Sequence, residues 1–131
     1  MRYLLDTNIC IYFLNHNTRI VDKIASVSVN DLAISCFNLT ELLYGAHNSE
    51  YVARNLERVR YIENTLRVLP FDRNAIDNYA VIKTDLKKRG RLIDDFDILI
   101  AAVALSNDMI LVTNNKRHFE RIPNLVIENW L

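Results

Sequence analysis

The sequence predicts an α/β fold: a short-stranded parallel central sheet covered by helices on both faces, in a three-layer α/β/α arrangement. Short apolar segments alternate with longer amphipathic ones along the chain, and only two Gly and two Pro residues interrupt the pattern. Strands that are apolar throughout are typical of parallel sheets buried on both faces. Because 131 residues suffice for one hydrophobic core, we predict a single domain over residues 1–131.

The predicted elements follow from local patterns along the chain. Residues 2–5 form a short apolar run, and Asp6-Thr7-Asn8 after it favour a helix N-cap, which predicts a strand and then a helix over residues 9–14. Apolar residues spaced three or four apart predict further helices, and short apolar runs predict further strands. The helices are predicted at 18–27, 35–46, 51–66, 73–89, 95–106 and about 116–121, and the strands at 32–34, 67–69, 109–112 and 125–127.

Several of these elements have clear local determinants. Pro70 directly follows the strand at 67–69, and it ends that strand because proline has no N–H for the sheet. Gly90 ends the helix at 73–89, since glycine readily adopts the left-handed conformation of a helix C-terminus. The segment 95–106 is apolar on nearly all sides, which predicts a buried helix.

Composition and charge exclude several classes of protein. The chain has 50% hydrophobic residues, and 16 Lys and Arg against 16 Asp and Glu. This composition excludes a disordered protein and a protein that covers nucleic acid through a broad basic surface. Since no apolar run reaches about 18–20 residues and no signal-peptide h-region begins the chain, we expect a cytoplasmic protein without a membrane partner. We expect Cys10 and Cys36 to be buried free thiols, and the spacing of His16, His47 and His118 predicts no imidazole-bound metal.

Two acidic residues stand where a sheet of this kind binds ligands. Ligand sites in such sheets lie beyond the carboxyl ends of the strands, and Asp6 directly follows the first strand. Asp97 begins the most apolar helix one turn before the small residue Ala101, so close packing would place its carboxylate over the strand ends. Carboxylates are the ligands that Mg²⁺ and Mn²⁺ prefer. The alternative is that both residues only stabilise helix N-termini, where Asp94 and Asp97 could pair as in a capping box.

Glu41 and Asn115 are further candidates by position. Glu41 lies in an amphipathic helix with Gly45 one turn later, and this glycine costs about 1 kcal/mol relative to alanine unless something must come close to it. A solvated surface glutamate is the alternative. Asn115 follows the strand at 109–112, where turn formation or helix capping would also explain an asparagine.

Four motifs resemble the PIN-domain ribonuclease family, particularly the VapC-type toxins of toxin–antitoxin pairs, and their span covers nearly the whole chain. They are Leu4-Leu5-Asp6-Thr7-Asn8, Thr40-Glu41-Leu42-Leu43-Tyr44-Gly45, Phe96-Asp97-Ile98-Leu99-Ile100-Ala101-Ala102, and Leu111-Val112-Thr113-Asn114-Asn115 followed by Phe119. The resemblance implies a PIN-like fold and a Mg²⁺-dependent endoribonuclease, with Mn²⁺ as an alternative ion. The expected substrate is a structured or single-stranded RNA loop, a tRNA among the candidates. The resemblance also implies a homodimer and a cognate antitoxin as partner.

The same resemblance assigns roles to individual residues. Asp6 and Asp97 would be the central metal ligands, and Glu41 would be the third acid, assisting metal binding or water activation. Asn115 falls where many members carry a fourth aspartate, so this chain lacks one formal charge and the occupancy of a second metal site is in doubt.

Three basic residues near Asn115 are candidates for contact with the RNA backbone, and a solvated charged face is the alternative. They are Lys116, Arg117 and Arg121.

Two other functions stay open at this point. One is a PIN fold that binds RNA or a partner without cleaving it, which the asparagine at position 115 makes credible. The other is a phospho-acceptor receiver module, with Asp72 after the third strand and Lys116 after the fourth. Receiver modules carry a pair of acids after the first strand, whereas Asp6 is here followed by Thr7 and Asn8.

Overall fold

A computed structural model describes residues 2–131, so Met1 of the predicted domain lies outside it. The strands are β1 (Tyr3–Leu5), β2 (Leu32–Ser35), β3 (Arg67–Leu69), β4 (Ile110–Val112) and β5 (Ile127–Glu128). The helices are α1 (Thr7–Leu14), α2 (Thr18–Ala25), α3 (Cys36–His47), α4 (Val52–Thr65), α5 (Arg73–Lys88), α6 (Asp95–Ser106) and α7 (Lys116–Phe119), and a 3₁₀ turn, Val29–Asp31, precedes β2. All strand pairs are parallel, in the order β3-β2-β1-β4-β5.

Side chains of the central strands alternate between two apolar layers. Leu4 packs with core residues of α5, α6 and α7, whereas its neighbour Leu5 packs with core residues of α1 to α4. Leu4 is fully buried and Leu5 is 2% exposed. Both faces of the sheet are therefore covered, which explains why the strands are apolar without alternation. The predicted three-layer α/β/α fold is confirmed.

The chain reverses its direction of growth across the sheet at β1. From β1 it passes to β2 and β3 on one side, and it then returns to place β4 and β5 on the other side. In doubly wound sheets this reversal opens a crevice at the carboxyl ends of the two strands concerned. Asp6 and Thr113 are the residues that directly follow β1 and β4.

The observed boundaries differ from the predicted ones near the C-terminus. The last strand is Ile127–Glu128 rather than 125–127, because the register pairs Leu111 with Ile127 and Val112 with Glu128. The helix predicted at 116–121 ends at Phe119, whose side chain is fully buried in the core. Gly90 has φ 64° and ends α5 as predicted.

Cys10 and Cys36 are both free, as predicted, but only Cys10 is buried as expected, whereas Cys36 is partly exposed. Burial raises the pKa of the Cys10 thiol to about 12. Across residues 2–131, no helix is long and apolar enough to cross a membrane.

Candidate active site

Asp6 is held at the carboxyl end of β1 by two hydrogen bonds. Its Oδ1 accepts from the Thr7 backbone N–H at 2.9 Å, which makes Asp6 the N-cap of α1, and its Oδ2 accepts from the Thr113 hydroxyl at 2.7 Å. The residue is only 6% exposed. Burial raises the pKa of the carboxyl, although both hydrogen bonds lower it, and the charge of Asp97 raises it further. Capping thus accounts for one oxygen, and Thr113 orients the other.

Glu41 projects from α3 toward the same edge of the sheet. Its Oε1 accepts from the Thr7 hydroxyl at 2.6 Å, and that hydroxyl oxygen accepts from Asn38 Nδ2 at 3.0 Å. Asn38 is fully buried and forms a capping box with Ser35, so the start of α3 is rigidly defined. Burial raises the pKa of Glu41, and the Thr7 hydrogen bond lowers it. Glu41 is therefore an oriented, partly buried acid rather than a solvated surface residue.

Asp97 lies in the first turn of α6, and its side chain is 20% exposed. Its Oδ2 lies 3.0 Å from His118 Nδ1. Burial raises the pKa of Asp97, the hydrogen bond and charge of His118 lower it, and the charge of Asp94 raises it. The carboxylate is thus held by a side chain of α7, the helix that follows β4.

The two acids before Asp97 have other contacts. Asp94 caps α6 by accepting from the Phe96 backbone N–H at 2.8 Å, and no hydrogen bond joins it to Asp97, so the alternative of a capping-box pair does not apply. Asp95 is exposed and accepts from Lys83 Nζ at 2.9 Å and from the Tyr79 hydroxyl at 3.0 Å. Asp97 is the acid of this group that contacts residues after β4.

Asn115 does not hydrogen-bond Asp6 or Asp97, the two central acids of the site, but it contacts the residues that do. Its backbone N–H donates to Thr113 Oγ1 at 2.9 Å, and its side-chain Nδ2 lies 3.0 Å from His118 Nδ1. Its neighbours Thr113 and His118 make the contacts with Asp6 and Asp97. The sequence interpretation missed His118 because it considered only the spacing between histidines. The available signal was its position three residues after Asn115, within a short helix.

The basic residues after Asn115 divide into two groups. Lys116 and Arg117 are exposed on α7. Arg121 donates through Nη1 to the backbone carbonyls of Arg91 at 3.4 Å and Leu92 at 3.3 Å, so its guanidinium already joins the loop between α5 and α6. The contact of Arg121 with RNA stays a prediction, and Lys116 and Arg117 are the freer candidates.

A groove of about 240 Å³ lies beside Glu41, between α1, α3 and α4. Gly45 lines this groove together with apolar side chains, among them Leu42 and Val59. A Cβ at Gly45 would meet no atom within 4 Å. The glycine is therefore not required by a close contact within the chain.

The acids at this edge of the sheet act on one another electrostatically. The charge of Asp97 raises the pKa of Asp6, and the charges of Asp6, Asp97 and Asp94 each raise that of Glu41. Their hard oxygen donors suit Mg²⁺ or Mn²⁺, which would also relieve the repulsion. Within residues 2–131, no three His, Cys, Asp or Glu side chains already form a group spaced to hold a metal. The donor chemistry fits a divalent cation, and the ligand geometry is not preformed.

Comparison with known proteins identifies the relatives of this chain. The PIN domain family matches residues 3–125. Ribonuclease VapC2 of Rickettsia felis is 36% identical over 132 residues, covering 99% of this chain and 98% of the relative. The tRNA(fMet)-specific endonuclease VapC of Shigella flexneri is 35% identical over 130 residues, with 99% and 98% covered. The crystal structure of VapBC2 from Rickettsia felis, bound to a DNA fragment from their promoter, matches with a TM-score of 0.94 and 34% identity over 100% of both chains. The chain therefore belongs to the PIN-domain family, as its four motifs predicted.

Proposed function

We propose that this protein is a Mg²⁺-dependent endoribonuclease and the toxin of a toxin–antitoxin pair. The observation that carries the proposal is the placement of Asp6, Glu41 and Asp97 at one edge of the sheet, where burial and charge raise the pKa of each. The proposal is supported by relatives named VapC ribonucleases that align over 99% of this chain. Family membership excludes the receiver-module alternative, and the side chain of Asp72 caps α5.

In this proposal Asp6 and Asp97 hold the cation, Mg²⁺ or alternatively Mn²⁺, with Glu41 as the third acid. Such a cation lowers the pKa of water and stabilises the charge that develops on the scissile phosphate. The hydroxyl of Thr113 donates to one oxygen of Asp6, and the hydroxyl of Thr7 donates to one oxygen of Glu41. Because Glu41 bonds to Thr7 through Oε1, Oε2 is the oxygen left to accept a proton from the attacking water. The raised pKa of Glu41 favours that role.

The proposed substrate is an RNA with an unpaired loop, because proteins read RNA sequence mainly where bases are unpaired. An initiator tRNA is the first candidate, since the Shigella flexneri relative is named a tRNA(fMet)-specific endonuclease. Lys116 and Arg117, exposed on α7 next to Asn115, would contact phosphates near the acids.

We also propose a cognate antitoxin as partner, a homodimer as the assembly and the cytoplasm as location. The antitoxin is supported by the VapBC2 structure that this chain matches. Light scattering on the purified protein tests the assembly, since a homodimer has twice the chain mass of 15.3 kDa.

The test of the proposed activity compares two aspartates in the same turn of α6. Wild-type protein is expected to cleave end-labelled initiator tRNA or total cellular RNA in Mg²⁺ and to stop in EDTA. Asp97→Asn is expected to abolish cleavage, whereas Asp95→Asn removes the same charge from an exposed residue bound to Lys83 and should retain it. Mg²⁺-dependent cleavage by Asp97→Asn at the wild-type rate would contradict the proposal.

The second candidate function is a PIN fold that binds RNA without cleaving it. The asparagine at position 115 favours this candidate, because its amide brings no negative charge with which to hold a metal ion. RNA binding by the wild-type protein, with no cleavage of any RNA in Mg²⁺ or Mn²⁺, would establish it.

A further inference from the structure

His118 supplies the hydrogen bond that holds Asp97. Its Nδ1 lies 3.0 Å from Asp97 Oδ2. Among residues 2–131, His118 is the one side chain that hydrogen-bonds the Asp97 carboxylate. The same Nδ1 lies 3.0 Å from the side-chain nitrogen of Asn115. The side chains of His118 and Asp97 are 40% and 20% exposed.

These contacts define which imidazole nitrogen carries a hydrogen. An ionised carboxylate only accepts hydrogen bonds, so the bond to Asp97 requires a hydrogen on Nδ1. A nitrogen that donates in this way cannot also accept from the NH₂ group of Asn115. The amide of Asn115 must then present its oxygen to Nδ1–H, an orientation that the hydrogen-bond network decides. In that orientation the Asn115 amide is compatible with the Nδ1–H tautomer of His118, which the contact with Asp97 requires.

We propose that His118 is a positioning residue for the metal-binding carboxylate of Asp97, and this inference rests on the proposed function. Its Nδ1–H holds Oδ2, so Oδ1 would remain available to hold the cation. Groups that hydrogen-bond the ligands of a metal commonly orient those ligands in this way.

The segment after β4 supplies a hydrogen-bonding side chain to each of the two central acids. Thr113 donates to Oδ2 of Asp6 at 2.7 Å, and His118 holds Oδ2 of Asp97. Asn115 joins the two contacts through its backbone N–H to Thr113 and its side chain to His118. Asn115 therefore acts through its neighbours, which gives it a role that needs no fourth carboxylate.

The test measures Mn²⁺ binding to the full-length protein without RNA, by isothermal titration calorimetry at one fixed pH. His118→Ala is expected to weaken Mn²⁺ binding by about 10- to 100-fold. His118→Asn should recover most of the affinity, because the amide nitrogen of asparagine can occupy the place of Nδ1. His118→Gln should not recover it, because the glutamine amide reaches the place of Nε2. His47→Ala, in an exposed histidine at the end of α3, is the matched control and should bind as wild type does.

The outcomes separate this inference from the proposed function. A wild-type protein that binds no Mn²⁺ and cleaves no RNA overturns the proposed function and the inference with it. A wild-type protein that binds Mn²⁺, with His118→Ala binding equally well, overturns the positioning role alone. If His118→Ala is unfolded by circular dichroism, the asparagine and glutamine variants decide: a stronger asparagine variant supports the role, and equal affinities overturn it.

Discussion

The two central acids of the site are held by different kinds of structure. Asp6 is 6% exposed and is held by a backbone N–H and by the hydroxyl of Thr113, which is fully buried. Asp97 has a side chain that is 20% exposed and is held by the imidazole of His118, which is 40% exposed. The contacts of Asp6 are buried inside the fold, whereas the contact between Asp97 and His118 is partly exposed to solvent. The comparison teaches that one acid is positioned by the fold and the other by a surface contact.

The largest expected effect tests whether both acids are required. We expect Asp6→Asn and Asp97→Asn each to lower the RNA cleavage rate by about 10³-fold or more, since cation stabilisation of the transition state contributes several kcal/mol. Initial rates on the same labelled RNA measure this effect. Circular dichroism checks that both variants stay folded. A wild-type rate for either variant would contradict the proposal that Asp6 and Asp97 together hold the cation.

The second prediction compares how much the contacts of Asp6 and of Asp97 each contribute to the free energy of unfolding. Thr113→Val removes the donor to Asp6 and the acceptor of the Asn115 N–H, so we expect the free energy of unfolding to fall by about 1–3 kcal/mol. His118→Ala breaks a partly exposed contact, and we expect a loss below about 1 kcal/mol. Urea denaturation measures both values.

Thr113→Ser is the control for this comparison because it keeps the hydroxyl. It should stay closer to wild-type stability than Thr113→Val does. Equal losses for Thr113→Val and His118→Ala would show that the two acids are held alike.

The third prediction concerns pH. Burial raises the pKa of Asp6 above its ordinary value of 3.8, and the pKa values of Glu41 and Asp97 are also raised. Between the ordinary and the raised pKa, the folded protein binds protons that the unfolded chain has released. Folding is therefore favoured as pH falls, and this stability is lost as pH rises through the raised values. We expect the Tm of the protein in EDTA to rise as the pH falls from neutral toward the ordinary carboxyl pKa.

The matched variants for the pH prediction are Asp6→Asn and Asp95→Asn. Asp6→Asn removes the most buried of the acids and should give a shallower dependence of Tm on pH. Asp95, in contrast, has its pKa lowered by the hydrogen bond from Lys83, so its replacement should not flatten the curve. A Tm in EDTA that falls steadily from neutral to mildly acid pH in the wild type would contradict the prediction.

The smallest expected effect concerns exposed charges near the Asp97 contact. Lys116→Ala and Arg117→Ala should each weaken RNA binding several-fold and reduce the slope of log K against log salt by about 0.7. Fluorescence anisotropy in the cleavage-deficient Asp97→Asn background measures it. Arg60→Ala, on an exposed position of α4, is the control and should leave the slope unchanged. An unchanged slope in the α7 variants would place the RNA elsewhere.

Much of the fold was predictable because its determinants are local. Strands that bury both faces need apolar residues throughout, as in the pair Leu4 and Leu5, and this pattern is visible in a few consecutive residues. The N-cap at Asp6 and the C-terminal glycine at Gly90 are likewise properties of short segments. The last strand was misplaced because its ends depend on the register with β4.

The acids could be proposed from the sequence, but their partners could not. Asp6 stood out because it directly follows an apolar strand, and Asp97 because it begins a buried helix. Thr113 lies 107 residues from Asp6, and His118 lies 21 residues from Asp97. No local pattern links Thr113 to Asp6 or His118 to Asp97, although the position of His118 three residues after Asn115 places it near the candidate site.

The sequence by itself determined that this chain forms a two-sided parallel sheet with acids after its strands and helix starts, because apolar runs and capping residues act over a few neighbours. The tertiary structure alone decided which side chains hold each acid. Parallel pairing sets Leu5 beside Val112, and this register brings the next residues, Asp6 and Thr113, into contact. Hydrogen bonds between side chains extend only about 3 Å, so they depend on how strands pair and helices pack rather than on distance along the chain.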